Sequence, residues 1–182
     1  MKQNVGVRAS VLTLVLASSI AVPLALATDS PQEMTVKYLL ATVKAFRIVY
    51  AKAIEEQVRK AGVTPSEHWQ DDNHAIMLNA QFVKAAGAEI KDFELGLIGL
   101  APINKANLPK TQTEVDALKK MMTNPELKIL TFPDGAQFKG LAADHAIVQA
   151  CADCHNNHPS SRKKDFRQGD LMGAIVVRLN TK

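Results

Sequence analysis

Two thiols and an imidazole stand within five consecutive residues near the carboxyl end of the chain, in the order Cys151-Ala152-Asp153-Cys154-His155. These two cysteines are the only ones among the 182 residues. A Cys-x-x-Cys-His segment is the attachment signal of a c-type haem, because the two sulfurs form thioethers with its vinyl groups and the adjacent imidazole ligates the iron. The segment therefore predicts one covalent haem c with His155 as an axial ligand, and the chain must fold a pocket around it.

Two other kinds of site use the same spacing of cysteines. A zinc site needs a second pair of ligands, for which His145 and His158 are the only nearby candidates in the sequence. A redox dithiol of the thioredoxin type follows a strand at the start of a helix in a βαβ unit, and no such pattern surrounds this motif. Both stay as alternatives to the haem, and the dithiol is the stronger of the two.

The amino terminus has the order of a secretory signal peptide. Lys2 and Arg8 precede an apolar run, Val11–Ala27, that ends in Ala25-Leu26-Ala27. An uncleaved membrane anchor is the alternative, but Pro23 interrupts the run, which is shorter than the roughly 20 apolar residues of a membrane span. We expect cleavage after Ala27 and a periplasmic protein with no later membrane span.

The remaining residues, 28–182, have the size of one domain with its own core. Removing Lys2 and Arg8 with the signal peptide from the 22 basic residues leaves 20, against 18 acidic ones. This near balance argues against nucleic acid as a partner.

The mature chain begins with a strong helix signal, in which Ser30 is the N-cap, Pro31 is the first helical residue and Glu33 completes a capping box. Apolar residues then recur at helical spacing up to Gly62. They are Val36, Leu39, Leu40, Val43, Phe46, Tyr50, Ile54 and Val58. We expect this stripe to cover the core of its own domain; it could also line a haem edge or pair with a second copy in a homodimer.

The rest of the chain alternates helical and strand patterns, with loops or short turns over residues 63–79. Helices are predicted over Ala80–Phe93 and, after a second capping box formed by Thr111 and Glu114, up to Pro125. Strands are predicted within Glu94–Asn104, over Leu127–Phe132 and Ala136–Leu141 as a hairpin turning at Pro133-Asp134-Gly135, and over Leu171–Leu179. Helices followed by hairpin strands predict an α+β fold, with helices packed on an antiparallel sheet.

Two segments carry a resemblance to a known family. One is the run Cys154–Asp165, continuing to Gly169-Asp170 and Gly173. The other is Pro102–Pro109, which contains Asn-x-x-Asn-x-Pro and is followed by Glu114. With these segments the chain resembles a family of periplasmic single-haem c-type cytochromes and haem sensor domains. The resemblance implies a PAS-like antiparallel sheet with a long N-terminal helix and a covalent haem near the carboxyl end.

The resemblance also implies roles for side chains outside the attachment motif. His158 is expected to bind a haem propionate or its own loop rather than the iron. Arg47 and Tyr50 stand where the first helix of similar domains often has an Arg and a Tyr, and they would donate to a propionate or to a distal ligand. The basic run Arg162–Lys164 could neutralise propionates or meet an acidic redox partner.

The sixth iron position decides whether the iron only exchanges electrons or also binds a small molecule. The sequence offers several histidines and methionines for it. They are Met34, His68, His74, Met77, Met121, Met122, His145, His158 and Met172. We favour His68, His74 or Met77, because the irregular segment that holds them follows the long helix and could fold back over a haem edge.

Two functions are compatible with these patterns, and neither is that of an enzyme. The first is electron transfer with a redox partner protein, which we place ahead because the chain is expected to carry no output module. The second is a haem-based redox or gas sensor that acts through a separate, membrane-bound signalling partner.

Overall fold

A computed structural model describes residues 29–181, so the predicted signal peptide lies outside the described residues. The described chain begins with three consecutive helical segments, together called the N-terminal helix: α1 (Pro31–Val49), one π-helical turn (Tyr50–Ile54) and α2 (Glu55–Lys60). The Ser30 hydroxyl accepts a hydrogen bond from the backbone N–H of Glu33 at 3.1 Å, as predicted for an N-cap. Gly62 follows at φ +79° and ends the helix.

The π-helical turn changes which side of the helix is buried. A π-helix closes i→i+5 hydrogen bonds, so each such turn rotates the following residues backwards around the helix axis. Glu55 is consequently buried, whereas Ile54 is 45% exposed. Phe46, which precedes the turn, is 62% exposed. The predicted apolar stripe is therefore wrong at Phe46 and Ile54.

Two short strands follow where the sequence predicted only loops or turns. They are β1 (Thr64–Ser66) and β2 (Ala75–Met77), which pair in parallel around a 3₁₀ turn at Trp69–Asp71. Next comes α3 (Asn79–Glu89), which ends four residues earlier than predicted because Ile90 already has extended backbone.

The central sheet has four strands: β3 (Glu94–Ile98), β4 (Ile129–Asp134), β5 (Gln137–His145) and β6 (Leu171–Asn180). Their order is β3-β6-β5-β4 and every neighbouring pair is antiparallel. Gly135 adopts φ +61° in the predicted hairpin turn, which a residue with a side chain rarely does. The helix α4 (Gln112–Thr123) lies between β3 and β4, and α5 (Gln149–Asn157) lies between β5 and β6. The predicted α+β class and the antiparallel sheet are confirmed.

The two faces of the sheet have separate apolar cores, because successive strand residues point to opposite sides. On one face α1 and α3 cover the sheet, with Val36, Leu40 and Val83 against Ile175 and Val177. On the other face α4 packs Leu118 and Met121 against the same strands. Among residues 29–181, no helix combines the length and apolar composition that a membrane span requires.

A buried charge cluster lies beneath α4. Glu114 is fully buried, and its carboxylate accepts hydrogen bonds from Arg178 at 2.6 and 2.9 Å and from Lys139 at 2.8 Å. The Thr111 hydroxyl caps α4 as predicted, but the Glu114 side chain points inward and accepts from the backbone N–H of Lys110 instead. Burial alone would raise the pKa of Glu114, yet these donors outweigh it and lower the pKa to about 2.

Candidate functional site

A cavity of about 710 Å³ lies at one end of the central sheet. Strand β3 ends there at Ile98, β5 ends nearby, and β6 begins; the N-terminal helix, α3 and α5 supply further walls. Leu97, Ile98, Pro102 and Ile103 contribute apolar surface. This volume lies within the roughly 300–1,000 Å³ of ligand and cofactor pockets, so the fold provides room for a large organic group.

Helix α5 presents the Cys-x-x-Cys-His motif to this cavity. Cys151, Cys154 and His155 all line it. Residues three and four positions apart share one face of a helix, so the motif's spacing brings both thiols and the imidazole to the same side. Both cysteines are free thiols.

The placement of the motif differs from that of a thioredoxin-type dithiol. Such a dithiol stands at the start of a helix in a βαβ unit. Helix α5 instead connects β5 and β6, which pair antiparallel. The dithiol interpretation of the motif therefore loses support.

The imidazole of His155 is held in an apolar setting. Its ring meets the edge of Phe166 at 5.7 Å between centroids and an interplanar angle of 86°. Asn156 fixes this contact, because its side-chain amide donates to the Phe166 carbonyl and accepts from the Phe166 N–H, each at 2.9 Å. Burial lowers the pKa of His155, which favours the neutral imidazole that ligates metals. The sequence pattern gave no sign of these two supporting residues.

His158 ends α5 and also lines the cavity. Its Nε2 lies 3.3 Å from a carboxylate oxygen of Glu67, and its Nδ1 accepts from the backbone N–H of Ser160 at 3.1 Å. The Lys164 ammonium donates to the His158 carbonyl. The ring thus contacts the backbone of its own loop at Ser160, and through Glu67 it joins that loop to the segment after β1.

Arg47 lines the cavity within a buried polar network. Its guanidinium donates twice to Asp144, at 2.9 Å each, and once to the side-chain carbonyl of Asn79 at 3.0 Å. The Asn79 amide donates in return to the Arg47 carbonyl at 2.8 Å. The backbone N–H of Asn79 donates to Glu55 at 3.1 Å. The network links the N-terminal helix, α3 and β5 at the cavity wall.

Tyr50 is not one of the described residues that line the cavity. Its hydroxyl donates to the Met77 carbonyl at 2.7 Å, and its ring stacks on Phe82 with 4.8 Å between centroids. Tyr50 therefore attaches the N-terminal helix to β2 and α3 behind the wall.

The three favoured candidates for the sixth iron ligand are placed away from the cavity. None of His68, His74 and Met77 is among the described residues that line it. Of all histidines and methionines in residues 29–181, the cavity is lined by His155, His158 and Met172.

The residues of the basic run 162–164 are also not among the described residues that line the cavity. Lys163 is 4.3 Å above the Phe166 ring centroid and faces Asp170. Arg59 and Lys84 line the cavity instead, beside the paired Arg47. Asn104 caps a 3₁₀ turn by accepting a hydrogen bond from the N–H of Ala106, and it lines the cavity as well.

Comparison with known proteins identifies a family and agrees with the fold. The family model described as "Tll0287-like: Tll0287" matches residues 27–180. The cyanobacterial haem protein Tll0287 has a solved structure that superposes with a TM-score of 0.55 at 18% sequence identity, covering 84% of this chain and 98% of that one. No curated protein sequence matches the chain. These matches confirm the family resemblance predicted from the sequence.

Proposed function

Because the chain belongs to the Tll0287-like family, we propose that it binds one covalent haem c and transfers electrons as a periplasmic monohaem cytochrome. The observation that carries the proposal is the placement of Cys151, Cys154 and His155 on one wall of a 710 Å³ cavity. A solved structure with this fold is described as a haem protein, which agrees with the proposal.

The donor set fits a haem. Two free thiols can form the thioethers, and a neutral imidazole beside them can ligate iron. Leu97, Ile98, Pro102 and Ile103 offer an apolar wall to the porphyrin. When bound, the haem supplies a one-electron Fe(III)/Fe(II) couple.

The charged residues of the wall suit the two propionates. Asp144 neutralises Arg47 through two hydrogen bonds. Arg59 and Lys84 make no ion pair within residues 29–181, and both line the cavity. We therefore assign the propionates to Arg59 and Lys84 rather than to the basic run 162–164 or to His158, whose ring nitrogens face Ser160 and Glu67.

Residues beside His155 and the apolar wall of the cavity determine the environment of the iron. Phe166 and Asn156 keep His155 in one orientation, so the ligand needs little rearrangement when the charge changes. The apolar wall lowers the local dielectric next to the porphyrin, and the dielectric is one of the means by which proteins tune a haem potential.

The proposal includes an assignment of the sixth ligand of the haem iron. Met172 lines the cavity, whereas His68, His74 and Met77 do not. We place Met172 first among the four for this reason.

A sensor is the second candidate, and the N-terminal helix favours it. This helix contributes Arg47 and Glu55 to the cavity, and its outer side leaves Tyr38, Phe46 and Val49 exposed. A signal could pass from the cavity along this helix to a membrane-bound partner or a second copy. Neither candidate is an enzyme.

Spectroscopy of the purified protein separates the two candidates. A six-coordinate low-spin spectrum in both oxidation states, unchanged by carbon monoxide or nitric oxide, supports the carrier and removes gas sensing. A five-coordinate ferrous form contradicts the simple carrier.

Haem attachment is tested by replacing both cysteines with alanine in a host that matures c-type cytochromes. The double variant is expected to lose the covalent pigment after denaturing electrophoresis. His68→Ala serves as the control and keeps it, since His68 lies off the cavity lining. Covalent haem in the cysteine double variant would refute the assignment.

A further inference from the structure

Glu55 is a buried carboxylate on the cavity wall that the proposed haem site does not use. It is 6% exposed, and the π-helical turn just before it rotates it into the cavity. One of its oxygens accepts from the backbone N–H of Asn79 at 3.1 Å. Within residues 29–181 its other oxygen accepts no hydrogen bond, although a carboxylate offers about four acceptor positions.

The other acids of the cavity wall are already neutralised or exposed. Asp144 is paired with Arg47 through two hydrogen bonds. Glu67 is exposed and faces His158. Among the described carboxylates that line the cavity, Glu55 alone is both buried and without an ion pair.

Groups on each packed element act on the charge of Glu55. Burial raises the pKa of Glu55. The Asn79 N–H and the cations of Arg59 and Arg47 lower it, but burial outweighs them, and the pKa of Glu55 is raised overall. Tyr50 on the π-helical turn and Cys154 on α5 lie close enough to feel its charge. A carboxylate in this setting is poised to take up a proton when further negative charge arrives nearby.

We infer that Glu55 is a proton-binding site coupled to the electron in this cavity, so that the protein carries a proton with its electron. The coupling rests on the proposed haem function. A one-electron donor protein delivers the electron to the cavity, and Glu55 takes one proton from solvent, becoming a neutral carboxylic acid. On reoxidation the electron leaves to an acceptor protein and the proton returns to solvent. Arg59 and Glu67 are exposed and line the same cavity as Glu55, so the cavity is open to the solvent that exchanges this proton.

The test is a potentiometric titration of the haem-loaded protein as a function of pH. The wild-type midpoint potential is expected to fall as pH rises, with a limiting slope of about 59 mV per pH unit, which corresponds to a tenfold change in K for one electron. Glu55→Gln is expected to abolish this slope. Glu56→Gln is the matched control, since Glu56 is exposed on the same helix and pairs with Lys60, and it retains the slope.

A flat wild-type profile, or a slope that survives in Glu55→Gln, would overturn the coupling. Infrared difference spectra of the wild-type protein give a second readout that needs no variant. Reduction should produce a carboxylic-acid C=O band that moves to lower frequency in D₂O, and its absence would also overturn the coupling. Loss of covalent haem from the wild-type protein would instead overturn the proposed function, so the two failures are distinguishable.

Discussion

The charge cluster beneath α4 allows one stability effect to be worked out from the structure. In Glu114→Gln the fully buried carboxylate is replaced by a neutral amide of the same shape. Arg178 and Lys139, which are 3% and 2% exposed, would keep their charges in the interior and their second partners, Glu94 and Asp134, but would lose the buried carboxylate that they share. The perturbation therefore removes an electrostatic interaction and changes almost no packing volume.

Two estimates of the free energy of unfolding lost in Glu114→Gln agree. The pKa of Glu114 is about 2, against 4.5 for an ordinary glutamate. A difference of about 2.5 pH units at about 1.36 kcal/mol per unit gives about 3 kcal/mol. Removing one partner of a buried ion pair costs about 3–5 kcal/mol in other proteins. We expect the free energy of unfolding at neutral pH to fall by about 3–5 kcal/mol, and the Tm by roughly 6–20 °C.

Urea unfolding at several pH values measures this effect, with Glu126→Gln as the control because Glu126 is exposed in the loop after α4. The pKa of Glu114 is lower in the folded than in the unfolded protein, so its contribution is present above about pH 4.5 and is lost as pH falls towards about 2. The difference between wild type and Glu114→Gln should therefore shrink over that range. A variant within about 1 kcal/mol of wild type at neutral pH, the size of a surface pair, would refute the reasoning.

Three further substitutions test the packing and the site. Gly140→Ala should lower the free energy of unfolding by about 1–3 kcal/mol, since an added Cβ would lie 2.3 Å from the Val36 side chain; unchanged denaturant stability would contradict this. Asn156→Ala should leave haem attached but broaden the axial-ligand signals in magnetic resonance, because Phe166 would lose two hydrogen bonds; a wild-type spectrum would count against that role. Met172→Ala should convert the ferrous haem spectrum to a five-coordinate form. If Met77→Ala alone causes this conversion, the sixth iron ligand is Met77 and the assignment to Met172 is wrong.

Features encoded by neighbouring residues were predictable from the sequence. The Ser30 cap, the Asp134-Gly135 turn and the strand starting at Leu171 depend on local backbone preferences, and the structure has each of them. Helix α5 was not predicted; once it forms, helical spacing brings Cys151, Cys154 and His155 to one wall.

Contacts between distant parts of the chain were not predictable in this way. Arg47 and Asp144 are separated by 97 positions, so no local pattern relates them. Glu114 has the spacing of a capping box, but the buried cations Lys139 and Arg178 attract its carboxylate more strongly than the helix end does. Glu55 was missed because helical periodicity assumes a regular turn throughout, and the π-helical turn breaks that assumption.

The two longest strands, β5 and β6, are neighbours in the sheet but are separated in the chain by residues 146–170. Helix α5, with its thiols and imidazole, lies entirely within that excursion. The paired strands and the Cys-x-x-Cys-His motif are thus encoded by different segments of the chain. Substitutions within residues 146–170 can therefore alter the binding of a cofactor and its affinity. The pairing of β5 with β6, which supports this segment, stays the same.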